Sequence, residues 1–185
     1  MTLHQFGVSL ETYLMTNPTL KGVIVSAVVL HRDHILLIQR AATDGFPNLW
    51  ETPGGGVDFA DETLSHALAR ELLEETGLVL KDVMELLDQL EFEGASGEGR
   101  YRKLTFLVCV EGPRGLQEHP HVVLDPMEHQ DFMWVSKDDL RTGFCGQREI
   151  QFAYSGQRET LFAAFRADTK TSAGIEEDNG AHKAA

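Results

Sequence analysis

An α/β fold is what the 185-residue sequence predicts, and three observations carry that prediction. Two β-branched apolar runs, Gly22 to Leu30 and Ile35 to Gln39, are joined by the polar His31-Arg32-Asp33-His34 and read as a hairpin of buried strands. A glycine turn at Gly54-Gly55-Gly56 leads into a helical pattern that closes at Gly77, the residue type that ends helices in a left-handed conformation. Beyond it, Val83 to Phe92 and Tyr101 to Val110 return to strand character.

Taken in order, Phe6, Leu10, Tyr13 and Leu14 recur at helical spacing between Gln5 and Asn17, where Asn17-Pro18 stops the pattern. His31 and His34 read as turn residues. Arg40 closes the second strand, and its guanidinium suits either phosphate oxygens or a surface ion pair. Asp44-Gly45 and Pro47-Asn48 mark an irregular loop in which Phe46 is a candidate lid aromatic, and Trp50 is a candidate for the core or for stacking on substrate. Glu93 to Gly99 is a glycine-rich loop too long for a tight hairpin, and Glu111 to Met127, with three prolines and two glycines, is a second irregular loop. Phe132 to Val135 reads as a strand running into a helix start at Ser136 to Leu140. Apolar residues from Ile150 to Phe165 predict a C-terminal helix over Glu149 to Ala167, with Ser155-Gly156 as a break point. The segment 169–185 has one sizeable aliphatic, Ile175, beside Glu176-Glu177-Asp178; it is expected to be a disordered acidic tail on a single domain spanning 1–168.

Chemistry concentrates between Gly56 and Leu78. With Asp61 as the expected N-cap and Glu62 in the first turn, about 100° per residue places Glu71, Glu74 and Glu75 along one edge of the helix. Leu68, Leu72, Ser65, Ala69 and Leu73 make its buried face. Glu71 and Glu75 repel at i,i+4, and Arg70 is the only basic residue from Asp61 to Leu80, so the pattern calls for a cation. A hard divalent ion with oxygen ligands, Mg²⁺ or Mn²⁺, supplies one, and a glycine carbonyl at the preceding turn is a further donor.

The stretch resembles the Nudix box, G-x5-E-x7-R-E-U-x-E-E-x-G-U, through Gly56, Glu62, Arg70, Glu71, Leu72, Glu74, Glu75, Gly77 and Leu78. Seven specified residues would coincide about once in 10⁸ to 10⁹ trial positions. Leu36 to Arg40 and Trp50 to Gly56 also resemble the family. The resemblance implies an α/β/α sandwich with a mixed sheet, and hydrolysis of a diphosphate linkage in a nucleoside diphosphate derivative or related organic diphosphate. It implies Mg²⁺ or Mn²⁺ held by Glu71, Glu74, Glu75 and the Gly56 carbonyl, with Arg70 orienting Glu74 and Glu62 as an outer orienter or a first-turn acid. Glu71 serves as ligand or base. Glu128, or Glu118 from the same region, is the candidate general base outside the box.

Net charge of −13 and a pI near 4.9 argue against bulk nucleic acid or anionic membrane as partner, and leave a small diphosphate as the expected one. There is no apolar run of about 18 residues and no signal-peptide pattern, so a cytosolic or nuclear protein is expected. Two other functions compete: a non-catalytic Nudix-fold module binding nucleotide or protein, and a cysteine-using diphosphate isomerase. The complete carboxylate set disfavours both, and Cys109, in a strand pattern, and Cys145, in a loop, are not placed for the latter. No signal for oligomeric state or for a particular diphosphate is present.

Overall fold

The computed structural model describes residues 6–94, 97, 99–112 and 119–167. Strand β1 (Leu20–His31) is the axis of a seven-stranded sheet. It turns into β2 (His34–Arg40) through Arg32 and Asp33, both at positive φ (52° and 58°), the two-residue hairpin geometry whose twist matches its strands. Strand β3 (Trp50–Glu51) pairs antiparallel with β2, and β4 (Gly54–Gly56) lies antiparallel on β1, Gly54 opposite Ser26 and Gly56 opposite Ile24. Strands β5 (Leu80–Glu93) and β6 (Arg100–Val110) pair antiparallel, and β6 lies parallel to β1 over Leu20 to Val29. Strand β7 (His129–Ser136) pairs antiparallel with β2. The sheet is therefore mixed.

Both faces are covered. One carries helix α2 (Leu64–Thr76), whose Leu64, Ala67, Leu68 and Leu72 pack with Val23, Val25, Ala27, Leu104 and Phe106. Helix α1 (Leu10–Thr16) joins that layer through Leu10 and Tyr13. The other face carries α4, helical over 157–167, where Leu161, Ala164 and Phe165 pack on Val28, Ile35, Leu37, Leu107 and Val135. Alternate residues of β2 thus enter opposite cores, which is why its sequence is apolar throughout instead of alternating. A short helix α3 (Lys137–Thr142), capped by a reciprocal Ser136–Asp139 pair, and a small hairpin of β8 (Phe144–Cys145) and β9 (Arg148–Glu149) complete the α/β/α sandwich. Among the described residues no helix is long and apolar enough to cross a membrane.

Four expectations about elements are corrected. Helix α1 begins at Leu10, not Gln5, because Ser9 caps it by accepting the Thr12 N–H; Phe6 stays buried, edge-on to Phe106. Helix α2 begins at Leu64 with Thr63, not Asp61, as N-cap, which leaves Glu62 exposed ahead of the first turn. Leu73, assigned to the buried face, is half exposed. Residues 149–156 are not helical, since Gln151 and Ala153 bond the backbone of Trp50 and hold that segment as an extra partner of β3. The tail 169–185 lies outside the described residues.

Gly54 is indispensable to this arrangement. Its φ is +149°, and a Cβ there would lie 2.1 Å from the Val25 carbonyl oxygen. Gly54→Ala is expected to force β4 off β1, costing about 2–3 kcal/mol or more, a fall of at least roughly 5 °C in melting temperature in a thermal scan.

Candidate active site

The site forms where β4 passes the C-terminal half of α2. Gly54 donates its N–H to Glu75 Oε2 at 2.7 Å, so the glycine turn holds the helix carboxylate directly. Gly55 faces Glu71, whose carboxylate would lie 2.6 Å from a Cβ at that position. Glu75 is 5% exposed. Burial pushes its pKa up to about 9, against the Gly54 N–H, and Glu51, Glu71 and Glu128 add like-charge repulsion. Glu71 is half-buried and is likewise raised, by burial first, with Arg70 opposing.

Arg70 organises the exposed side of the cluster. Its Nε and Nη2 each donate at 3.0 Å to the two oxygens of Asp61, and Nη1 donates to Glu71 at 2.8 Å and Glu74 at 3.0 Å. The Gly56 carbonyl accepts from Nη2 at 3.1 Å. Arg70 therefore reaches Glu74 as expected, but its chief partner is Asp61, whose carboxyl the guanidinium holds below the usual range. That pairing also explains why Asp61 does not cap α2: its oxygens are taken by Arg70 and the Asp58 N–H.

The sheet delivers the remaining groups. Glu128 stands at the start of β7, its carboxylate exposed and its backbone carbonyl accepting the Ala41 N–H at 2.8 Å. Ligating atoms of Glu75, Glu128 and His129 lie within 4.8 Å of one another. His129 is buried, with Nε2 3.5 Å from Glu51 Oε1 and 3.9 Å from Glu75 Oε1, and its Nδ1 has no partner. Glu118 lies outside the described residues.

The sequence-derived substrate candidates are spread more widely. Arg40 pairs with Asp44 at 2.7 Å and with the buried Glu51, pinning the 41–48 loop to the rim of the site. Phe46 is 60% exposed on that loop. Trp50 is 2% exposed in the core beneath α4, its indole N–H donating to the Glu149 carbonyl at 3.1 Å, so neither ring face opens on the carboxylates. Arg40→Ala would leave Glu51 buried without its cation. An expected loss of about 1–3 kcal/mol, discounted for the partial exposure of the pair, is measurable by chemical denaturation.

Glu51, His129 and Lys103 were not among the residues singled out from sequence, and Asp61 was singled out only as a helix cap. Lys103, on β6, has its ammonium 4.0 Å over the Tyr154 ring, with Glu51 and Glu75 in electrostatic reach. Only Glu51 carried a local signal, its place immediately before the Thr52-Pro53-Gly54 turn.

The NUDIX domain profile matches residues 20–160, the whole of the sheet and the carboxylate helix. The chain belongs to the Nudix family. It is 31% identical over 167 residues to the m7GpppN-mRNA hydrolase NUDT17 of Danio rerio, covering 84% of this chain and 52% of that protein. It is also 31% identical over 122 residues to a putative 8-oxo-dGTP diphosphatase 2 of Mycobacterium tuberculosis, covering 64% of this chain and 84% of that one. The chain spans about half or less of several relatives it matches, 38% of a Streptomyces ambofaciens MutT-like protein among them. Among solved structures, the MutT protein from Methanosarcina mazei Go1 superposes with a TM-score of 0.57 at 26% identity, over 80% of this chain and 94% of that one. The Escherichia coli ORF135 protein does so with 0.57 at 27%, over 82% and 92%. These neighbours share the Nudix sandwich.

Proposed function

We propose that the protein is a metal-dependent Nudix pyrophosphohydrolase that cleaves a diphosphate linkage in a nucleotide derivative or related organic diphosphate. One observation carries the reading: Glu75, buried and clamped by the Gly54 N–H, stands among Glu51, Glu71 and Glu128, and among the described residues no lysine or arginine pairs with Glu75 itself, the His129 imidazole lying 3.9 Å away. A fold gains nothing from such a cluster unless something positive completes it. The donors are carboxylates, a glycine carbonyl and one imidazole, which suits Mg²⁺ or Mn²⁺; Glu71, Glu74, Glu75 and the Gly56 carbonyl would hold the ion. Bound there, the ion supplies Lewis-acid stabilisation of the charge that builds on phosphate oxygens as water attacks phosphorus.

The chain's own groups do the rest. Arg70, bridging Asp61, Glu71, Glu74 and the Gly56 carbonyl, fixes the orientation of donors from helix and turn together. Glu128 is free to accept the proton of the attacking water, since its carboxylate is exposed and beside Glu75. Arg40 and Phe46, at the rim, meet the phosphates and the rest of the substrate. Relatives named as a CTP pyrophosphohydrolase, an RNA pyrophosphohydrolase and an mRNA cap hydrolase support the linkage class. The test is a panel of nucleoside triphosphates, nucleotide sugars and non-nucleotide diphosphates with Mg²⁺ or Mn²⁺, assayed for phosphate or pyrophosphate release. Turnover of at least one compound, abolished by chelation, is expected; no turnover across the panel would leave a binding module.

A further inference from the structure

The hairpin end of the sheet carries a histidine cluster that the carboxylate chemistry does not use. His31 and His34 face one another where β1 turns into β2, and His119 comes to them from the segment that runs on towards Glu128. The Nδ1 atoms of His31 and His119 are 3.2 Å apart. His119 lies flat on the Trp134 indole, ring centres 4.5 Å apart at 10°, and the His31 and His34 rings stand edge-on to it at 5.3 and 5.4 Å. All three imidazoles are half-buried, and His119 lines an open cleft with Leu78, Glu111 and His121. Burial first, then the Arg32 charge, holds His31 below the usual histidine range; burial, then His31, His34 and Arg32, does the same for His119.

Neutral imidazoles brought together are the donors that first-row transition ions favour. An ion bonded at about 2.0–2.1 Å to two imidazole nitrogens, near the tetrahedral angle, sets those nitrogens about 3.3 Å apart. The His31–His119 pair already has that separation. His34 stands outside ligating reach of the pair, but its ring is in the right tautomer. Its Nδ1 is 2.8 Å from the Arg32 carbonyl, which can only accept, so Nδ1 carries the proton and Nε2 keeps a lone pair. Strand β2 runs seven residues from His34 to Arg40, about 20 Å at roughly 3.3 Å per residue, which separates this cluster from the carboxylates.

We propose that His31, His119 and His34 bind a transition ion of the Zn²⁺, Ni²⁺ or Cu²⁺ class, which clips the His119 segment to the β1–β2 hairpin. His31 and His119 supply Nδ1, His34 turns in from the hairpin as the third ligand through Nε2, and water fills the remaining position. On binding, the ring that carries its proton on Nδ1 shifts it to Nε2 through solvent, so both rings stay neutral and both Nδ1 lone pairs face the ion. From His119 the chain continues to Val123, whose N–H donates to the Thr76 carbonyl at 2.9 Å, and to Asp125, whose carbonyl accepts from the Glu128 and His129 N–H groups. The clip therefore steadies the approach to β7. It does not depend on the hydrolase reading, and Mg²⁺, which prefers oxygen donors, does not compete for it.

The test uses the full chain without a histidine tag, with excess Mg²⁺ to hold the carboxylate site. Trp134, stacked on His119, is the reporter, and Trp50, buried beneath α4, gives the background. Ni²⁺ is expected to quench Trp134 emission saturably at one equivalent, and Zn²⁺ to reverse that quenching by competition. Zn²⁺ at about 100 times its Kd should raise the melting temperature by roughly 5 °C or more. His31→Gln and His119→Gln should each weaken Ni²⁺ binding by at least the roughly 10- to 100-fold that losing an outer-shell partner costs, and His34→Gln by about 10-fold. His34→Gln alters only the hairpin turn, so its melting temperature in chelator should match wild type and its Ni²⁺ affinity is read on an intact fold. Quenching that does not saturate, or a Ni²⁺ affinity that His31→Gln retains, overturns the site and leaves a histidine–histidine hydrogen bond. An unchanged affinity in His34→Gln overturns the three-histidine assignment.

Discussion

Glu75→Gln is expected to make the metal-free protein more stable at pH 8 and to cut turnover by about 10²- to 10³-fold or more, the scale on which losing one charge-stabilising group is felt. Both effects come from the same burial. With a folded pKa of about 9 against an ordinary value of 4.5, Glu75 binds a proton in the native state over a range where the unfolded chain has released it. The unfolded state then holds fewer protons than the native one, so stability falls as pH rises from about 4.5 towards about 9. A glutamine there has no proton to bind, accepts the Gly54 N–H through its oxygen and removes one charge from among Glu51, Glu71 and Glu128. A gain of even about 1 kcal/mol would raise the melting temperature by roughly 2–4 °C in a chain of this size. The measurement is a pair of melting curves at pH 5.5 and 8, with chelator and with Mg²⁺. Wild type should lose stability towards pH 8 in chelator and regain it with Mg²⁺, because a ligand bound to the native state stabilises it by mass action. The variant should show a flatter pH response and a smaller Mg²⁺ effect. A variant less stable than wild type at pH 8 in chelator would mean that Glu75 is ionised and compensated from within the protein.

What the sequence made legible, and what it did not, follows from the range of the forces involved. Glu71, Glu74 and Glu75 could be placed on one edge because helical spacing is local, and Gly77 at +68° ends α2 where its residue type required. The strands were legible for the same reason, their burial being written into runs of β-branched residues. Glu51, His129 and Lys103 belong to three different strands and meet the helix only through sheet register. His129 faces Arg40 across a register shift at Gln39/Arg40, an irregularity that no local pattern announces. Asp61 misled as a cap because its residue type suits two tasks, and Arg70, nine residues on, claimed it for the other. Over 149–156 helical spacing of apolar residues was present, but pairing with the short strand at Trp50 outweighed it. Propensity yields there to a long-range backbone partner.

Glu128→Gln is expected to lower kcat by about 10²- to 10⁴-fold while leaving metal affinity near wild type, the signature of a lost proton acceptor. The structure gives this carboxylate a firm base and a free end. Its carbonyl is bonded to Ala41 and its N–H to the Asp125 carbonyl, so the backbone is fixed where β7 begins, while the side chain stays exposed next to Glu75. Exposure matters, because a carboxylate wrapped around an ion spends its lone pairs on the metal, whereas one in contact with solvent can take a proton and release it. Glu128 also contributes to the repulsion felt by Glu71 and Glu75, so its removal should tighten neither its own binding role nor theirs but ease their ionisation slightly. Titrating Mn²⁺ against wild type and Glu128→Gln, followed by single-turnover hydrolysis at saturating metal, separates the two roles. If metal affinity and rate fall together, Glu128 is a ligand, a part its neighbourhood with Glu75 and His129 would also allow. If neither changes, the proton goes to Glu71, the half-buried carboxylate whose pKa burial raises in spite of its contact with Arg70.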